Sequence, residues 1–239
     1  MQFLWGLVML KDSEIAALVD LCRAKLPLAA GYSGDVPYHS LPLCVIDAVF
    51  SINARYEAAE NAVKRFCEYF SLPCRCEEIP PQAEQLSVAD FVRLYDDYNP
   101  SEMAAEVYQN RQRTSTRNGI LKADAVLRFS KVLQRFQVDY YQDTQKIVGR
   151  STFESAIAKI PGQGSGISTL YFYMRIGEQG YVKPDRMIER FISSAIHRTL
   201  SIEESADALI RAQRILVKQY PHLTPRGLDA LIWTYQRGE

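Results

Sequence analysis

The sequence predicts an all-α fold. Apolar residues recur at helical spacing through most of the chain, and helix-start signals precede those runs. Strand-type alternation never lasts beyond a few residues. About ten or eleven helices follow from this pattern.

The elements read in order as follows. Residues 13–25 and 41–53 carry the first two helical patterns. Residues 56–70 place Ala59, Ala62, Val63, Phe66, Cys67 and Phe70 on one face. Residues 87–97 and 100–110 follow. Residues 120–136 repeat the stripe with Ala125, Val126, Phe129, Val132, Leu133 and Phe136. Shorter helices are expected at 139–147, 152–160 and 166–177. Residues 185–197 offer Ile188, Phe191, Ile192, Ala195 and Ile196, and residues 202–219 offer Ala206, Leu209, Ile210, Leu216 and Val217. Ser151 with Glu154, and Ser201 with Glu204, read as capping boxes. Thr224-Pro225 reads as an N-cap followed by a first-turn proline, and Pro184 has the same position before 185–197. Breaks fall at Pro27 to Pro42, Pro73 to Ser87 and Arg113 to Gly119. There is no internal repeat.

Bulk properties fit a soluble globular protein. The chain has 239 residues, 47% hydrophobic and 23% charged, enough to bury a sizeable core. Its 28 basic and 28 acidic residues give a formal net charge of zero, so any nucleic-acid face must come from local clustering. The apolar N-terminal stretch is too short to span a bilayer and lacks the basic flank of a signal peptide. No membrane association is expected, and the expected location is the cytoplasm, or the nucleoid in a prokaryote.

Five cysteines are present. Cys22, Cys44 and Cys67 fall inside apolar helical patterns and read as small buried hydrophobes in a reducing compartment. Cys74 and Cys76 form a C-x-C step without the further ligands zinc would need, so no metal is expected.

The segment 158–191 carries the most information about function. Ile160-Pro161-Gly162-Gln163-Gly164 ends one helix and turns into the next. Pro161 stops the helix, and Gly162 and Gly164 are expected to supply positive φ and close backbone approach. Ser165, Gly166 and Ser168 follow, small enough to admit a ligand. Unpaired N–H groups at such a helix start suit an anion such as a phosphate. Asp185 stands 21 residues beyond Gly164, in the expected first turn of the next helix. Arg111, Arg113 and Arg117 lie in a polar loop, while Arg128, Lys131 and Arg135 share a helix stripe expected to face solvent. Among the 14 tyrosines, Tyr140, Tyr141, Tyr171 and Tyr173 could wall a base, although most rings read as core.

Hairpin and carboxylate together resemble the helix-hairpin-helix superfamily of base-excision DNA glycosylases. That family has a Leu-Pro-Gly-Val-Gly hairpin ahead of a catalytic Asp, with a slightly shorter spacing in the endonuclease III branch. The Asp is followed by an aliphatic residue and often Arg, which Ile188 and Arg190 match. The same branch has a Leu-Ser-x-Gln step whose polar side chain enters the duplex. Ser51-Ile52-Asn53 is similar here, with Asn53 as the matching residue.

The resemblance implies two helical lobes with a cleft, one over residues 34–178 and the other over 1–33 plus 179–239. It implies double-stranded DNA as partner, Asp185 as the catalytic residue, and Asn53, Gly162, Gln163, Gly164, Ser165, Gly166 and Ser168 as DNA-binding residues. The lysine of bifunctional members is missing, because Ser165, Gly166 and Ile167 occupy its stretch, and Lys183 does not lie at that position. A monofunctional enzyme is therefore implied, with no organic cofactor. The C-terminal third has no cysteine, so no iron–sulfur cluster is implied, while a monovalent cation at the hairpin carbonyls is compatible with the family. A monomer is the expected form. The excised base stays open among uracil, alkylated or oxidised purines and modified bases. The alternative is a non-catalytic helix-hairpin-helix DNA-binding protein, and an all-α protein-interaction scaffold is a third reading.

Overall fold

The computed structural model describes residues 10–30, 36–54, 56–182 and 185–238. It is all-α. Among the described residues there is no strand, only two isolated bridges, Tyr38 with Arg75 and Arg113 with Leu121. In chain order the helices are α1 (Asp12–Lys25), α2 (Leu41–Phe50), α3 (Tyr56–Tyr69), α4 (Val88–Asp97), α5 (Pro100–Glu102), α6 (Lys122–Arg135), α7 (Ser151–Ala158), α8 (Ile167–Arg175), α9 (Arg186–Ile196), α10 (Ile202–Leu216) and α11 (Pro225–Gly238). The chain divides into two compact units, Asp35–Gly177 and the pair Met1–Gly34 with Glu178–Glu239.

The Asp35–Gly177 unit is built around α2. Its sequence, LPLCVIDAVF, is apolar on every side, and every one of its residues is buried. Helices α3, α6 and α8 pack on it. Phe129 of α6 meets Phe172 of α8 at 5.1 Å and Phe153 of α7 at 6.1 Å, which holds these three helices together.

The one charged residue of α2 is Asp47, and it is satisfied on all sides. Arg175, in the last turn of α8, brings Nε to 3.1 Å from Oδ1. Tyr38 donates its hydroxyl to Oδ2 at 2.6 Å, and Ser51 donates to Oδ1 at 3.0 Å. Burial, and then the Asp47 charge, push the Tyr38 hydroxyl far above its ordinary value, so it stays a donor.

The other unit packs α1 against α9 and α10, and α11 against α9 and α10. Its core joins Ile15, Leu18 and Cys22 to Ile188, Phe191 and Ile192, to Leu209 and Leu216, and to Leu228 and Ile232. Ile188, Phe191, Ile192, Leu209 and Leu216 belong to the stripes the spacing predicts, whereas Ala195, Ala206 and Ile210 of the same stripes are only partly buried. Arg198 ties two elements by pairing with Glu14 at 2.9 Å and Glu204 at 3.1 Å.

Some local expectations need correction. The Ser201–Glu204 capping box forms, but the Ser151–Glu154 box does not. Gly149 takes a φ of +67° and Arg150 becomes the N-cap, so Ser151 is already inside the helix. Glu154 instead accepts from the Tyr173 hydroxyl at 3.4 Å. Residues 141–146 form a 3-10 rather than an α-helix. There Asp143 caps the N–H groups of Asp139 and Tyr140, and Thr144 bonds the Tyr141 carbonyl. Past α5, Met103–Val107 widens into a π-turn. The N-terminal apolar stretch (residues 1–9), Lys183 and Pro184 lie outside the described residues.

The buried ion pair gives a direct test. Arg175→Met leaves Asp47 charged in an apolar helix and should cost about 3–5 kcal/mol in urea unfolding. Adding Asp47→Asn should recover part of that loss. If the double variant is no more stable than Arg175→Met, the pair does not act as a unit.

Candidate nucleic-acid interface

The candidate interface starts at the turn between α7 and α8. Lys159 caps α7, and Pro161 follows two residues later. Gly162 takes a φ of +82° and Gly166 a φ of +74°, the latter as the N-cap of α8. Gly164 has no positive φ, so the left-handed glycines are Gly162 and Gly166, not Gly162 and Gly164. The N–H of Gln163 bonds Ile160 O, and that of Gly166 bonds Gln163 O. The N–H groups of Gly164, Ser165, Ser168 and Thr169 find no acceptor among the described residues. Four open donors at the positive end of a nine-residue helix can hold an anion.

The residues expected to bind DNA divide by burial. Gly162, Gly164 and Ser165 are exposed and Gly166 is half-buried. The side chains of Gln163 (1% exposed) and Ser168 (0%) are buried. The contact expected of this stretch is through backbone N–H groups, of which that of Gln163 is taken by Ile160 O and that of Ser168 is open, while both side chains are turned away from solvent. Gln163 turns inward because the chain reverses twice around it, and Ser168 lies on the face of α8 that packs inward.

A short finger supports the turn from beside it. Residues 112–122 fold back on themselves, with Thr114 N bonded to Ile120 O and Lys122 N to Gln112 O. At its tip, a Cβ on Gly119 would collide with the Ser115 backbone, so glycine is needed there. Thr114 Oγ1 donates to Pro161 O at 2.9 Å and accepts from Ile120 N at 3.2 Å. A Cβ on Gly162 would strike Thr114 Oγ1 and Cβ. The close approach that glycine permits here is thus to Thr114. Arg113 and Arg117 are exposed on the finger and Arg111 is exposed at its root, putting three guanidinium groups on or beside the segment that braces the turn. Arg113 is partly committed, since it bonds Gly119 O.

The base of the finger reaches the end of α2. Lys122 is 1% exposed, and its Nζ donates to Phe50 O at 3.0 Å, Ile52 O at 2.7 Å and Gln112 Oε1 at 3.0 Å. It satisfies orphan carbonyls of the helix terminus. Burial lowers its pKa to about 8. Asn53 follows directly, exposed and left-handed at a φ of +49°. One chain of contacts therefore links Asn53, the arginine finger and the turn within a single unit. Sequence reasoning missed Thr114, Gln112 and Lys122. The register of Lys122 with Val126, Phe129 and Leu133 was the available signal, since a lysine on a buried stripe needs partners.

Asp185 belongs to the other unit and is described there by itself. It is the N-cap of α9, not a residue of its first turn. Its Oδ1 accepts from Met187 N at 2.9 Å and Ile188 N at 3.1 Å, and the side chain is half-buried. Aspartate is among the residues preferred at this capping position. On the α6 stripe, Arg128 pairs with Asp124 at 2.9 Å.

No group of three or more His, Cys, Asp or Glu side chains among the described residues is arranged to hold a metal ion. At the turn, the carbonyls of Ile160, Pro161 and Gln163 each already accept a hydrogen bond, so they do not single out a cation site. No helix among the described residues is long and apolar enough to cross a membrane.

A family model described as "Domain of unknown function (DUF8548)" matches residues 16–237. The chain belongs to that family. The DUF8548 match runs through both compact units and includes the turn, the finger and Asp185. No curated protein and no solved structure matches the chain.

Two predictions follow from the packing. Gly162→Ala should destabilise the Asp35–Gly177 unit by about 2 kcal/mol or more, from positive φ plus the Thr114 collision. Gly164→Ala should be nearly neutral, because its added Cβ meets only Ala158 O at 3.8 Å. Equal unfolding midpoints for the two variants would refute this picture of the turn. Lys122 gives a pH signature. Its folded pKa of about 8 lies below the unfolded value near 10.4. The unfolded chain thus binds more protons between these values, and stability from this group rises with pH across that window. The stability difference between wild type and Lys122→Met, followed by urea unfolding from pH 7 to pH 10, should move in the wild type's favour.

Proposed function

We propose that this protein is a monofunctional DNA glycosylase that removes a damaged or modified base from duplex DNA. The observation that carries the reading is the row of open N–H groups at the start of α8, braced by a finger that exposes Arg113 and Arg117, with Arg111 exposed at its root. Backbone donors and guanidinium groups are the two chemistries that grip phosphates without reading sequence. Asn53, at the far end of the same contact chain, is the side chain assigned to fill the space left by an extruded base.

Asp185 supplies the chemistry in this reading. Breaking the N-glycosidic bond builds positive charge on the sugar, which a fixed carboxylate stabilises. Water then adds its oxygen to the sugar carbon, one proton goes to the departing base, and Asp185 orients that water. With Ser165, Gly166 and Ile167 where a nucleophilic lysine would stand, the product is an abasic site rather than a broken strand. No metal or organic cofactor enters the scheme.

A non-catalytic DNA-binding role is the second reading. It is favoured by the capping bonds of Asp185, which explain an aspartate at that position without catalysis.

The substitution Asp185→Asn separates the two. Asparagine caps a helix as well as aspartate, so α9 is kept and only the charge is lost. A panel of duplexes, each with one lesion, would be scored for alkali-labile abasic sites. Excision by wild type should fall by about a hundredfold to a thousandfold in the variant while DNA affinity holds. No excision of any lesion by wild type, with duplex binding intact, would leave the binding role. The phosphate grip is tested apart. Arg111→Gln with Arg117→Gln should reduce the slope of log affinity against log salt by about two, whatever the base. An unchanged slope would remove the finger from the DNA contact.

A further inference from the structure

The basic stripe of α6 takes no part in the phosphate grip at the turn. Ala125, Val126, Phe129 and Leu133 of this helix are fully buried, and it keeps one narrow solvent stripe. Arg128, Lys131 and Arg135 occupy that stripe at i, i+3 and i+7. The only carboxylate of α6 is Asp124, and Arg128 holds it through Nε at 2.9 Å and Nη2 at 3.0 Å. Lys131 and Arg135 find no acceptor among the described residues.

Helix α7 flanks this stripe. Around α6 the cationic line adjoins Val132 and Phe136, and Phe136 packs on Phe153 of α7 at 5.5 Å. Arg150, the N-cap of α7, covers the joint between the helices. Its guanidinium lies over the Phe136 ring at 5.1 Å, and its Nε donates to Thr152 Oγ1 at 3.1 Å. Ser151, Ser155 and Lys159, at i, i+4 and i+8, run in an exposed line from Arg150 to the turn. Glu154, the only acid of α7, is directed to α8, where the Tyr173 hydroxyl donates to it at 3.4 Å.

We propose that this α6–α7 face is a second grip on duplex DNA, holding phosphates beside those gripped at the turn. The inference rests on the DNA binding proposed above and does not depend on base excision. A solvated helix face interleaves acids with bases, so that each charge has an opposite neighbour. Here Lys131 has Arg128 at i−3 and Arg135 at i+4, both of its own sign. Like charges at these spacings repel and weaken the helix, and a row of phosphates reverses that effect. The hydroxyls of Ser151 and Ser155 add the neutral donors that also serve phosphate oxygens. The spacing suits one duplex. The eight residues of α7 rise about 12 Å between Arg150 and Lys159. One turn of B-DNA rises about 34 Å, so both grips fall within a single turn.

An anionic membrane offers phosphates too. Helices that lie on lipid bring large apolar side chains to their surface. Among the described residues the exposed large hydrophobics are Val36, Tyr69, Ile79, Ile202 and Ile215, and none lies on α6 or α7. The face therefore suits DNA rather than lipid.

The experiment measures the affinity of the full chain for an undamaged duplex as salt is raised. Lys131→Gln with Arg135→Gln removes both unpaired cations of the stripe. The slope of log affinity against log salt should fall by about two, so that over a roughly fourfold rise in salt the wild type loses about tenfold more affinity than the variant. This loss should add to that of Arg111→Gln with Arg117→Gln, because the two grips meet different phosphates. Lys25→Gln with Lys218→Gln removes the same charge from exposed positions of the other unit and should leave the slope unchanged. An unchanged slope in the α6 variant, with the finger variant still reduced, would overturn the second grip and leave the turn's grip standing. An equal fall with Lys25→Gln and Lys218→Gln would reduce the effect to bulk charge and overturn it as well. So would loss of co-sedimentation with phosphatidylserine vesicles in the α6 variant while its DNA slope is kept, which would make the partner a membrane. Absence of any duplex binding by the wild type would end the DNA reading as a whole, and this inference with it.

Discussion

The complete burial of α2 is the constraint on which the larger unit depends. A ten-residue helix with no solvent face must be covered on all sides, and α3, α6 and α8 do this. Burying Asp47 in such a helix is costly unless it is fully paired. The pairing falls to Arg175, Tyr38 and Ser51, which come from three different parts of the chain. Covering α2 therefore also fixes the register of α8 along it. Because α8 begins at the glycine turn, the position of the open N–H groups follows from an ion pair at the opposite end of the same helix.

A second consequence appears at the C-terminal end of α2. Its last carbonyls are too deep to be reached by solvent alone, and Lys122 serves them. A lysine there desolvates its charge, and three acceptors offset part of that cost. Since Lys122 opens α6, and the finger precedes it, the cap anchors one root of the finger, while Thr114 anchors its middle to Pro161. The three exposed arginines are thus carried on or beside a loop held at both points. Loops held this way keep a charge cluster in place without ordering it at the moment of binding.

The helical stripes were legible because burial leaves a periodic trace. Ala59, Val63 and Phe66 of α3, or Ile188, Phe191 and Ile192 of α9, can be read from spacing alone, and all are buried. The glycine turn was legible for the same local reason, since Pro161 and Gly162 punctuate wherever they occur. Side-chain direction at the turn was not. Whether Gln163 faces duplex or core depends on how the chain winds around it, which no local pattern encodes. The failed cap at Ser151 has a similar origin, because Gly149 shifts the start of the helix by one residue. Long-range partners such as Thr114 for Gly162, or Lys122 for the end of α2, depend on how loops close, and spacing says little about that.

Asp185 has an observed structural role as an N-cap, and the enzymatic reading asks a second, chemical role of the same residue. The Oδ1 bonds to Met187 and Ile188 fix the side chain against α9. A carboxylate held in this way carries its charge with little freedom to reorient. That is a useful property for stabilising a cation at a fixed place, where a mobile carboxylate would first have to be ordered. Capping alone would be served equally by serine or asparagine, neither of which carries charge. The two roles therefore make different demands on the side chain. Capping needs an acceptor oxygen, whereas catalysis needs the negative charge as well, so the charge and not the hydrogen bond is the property on which the enzymatic reading stands or falls.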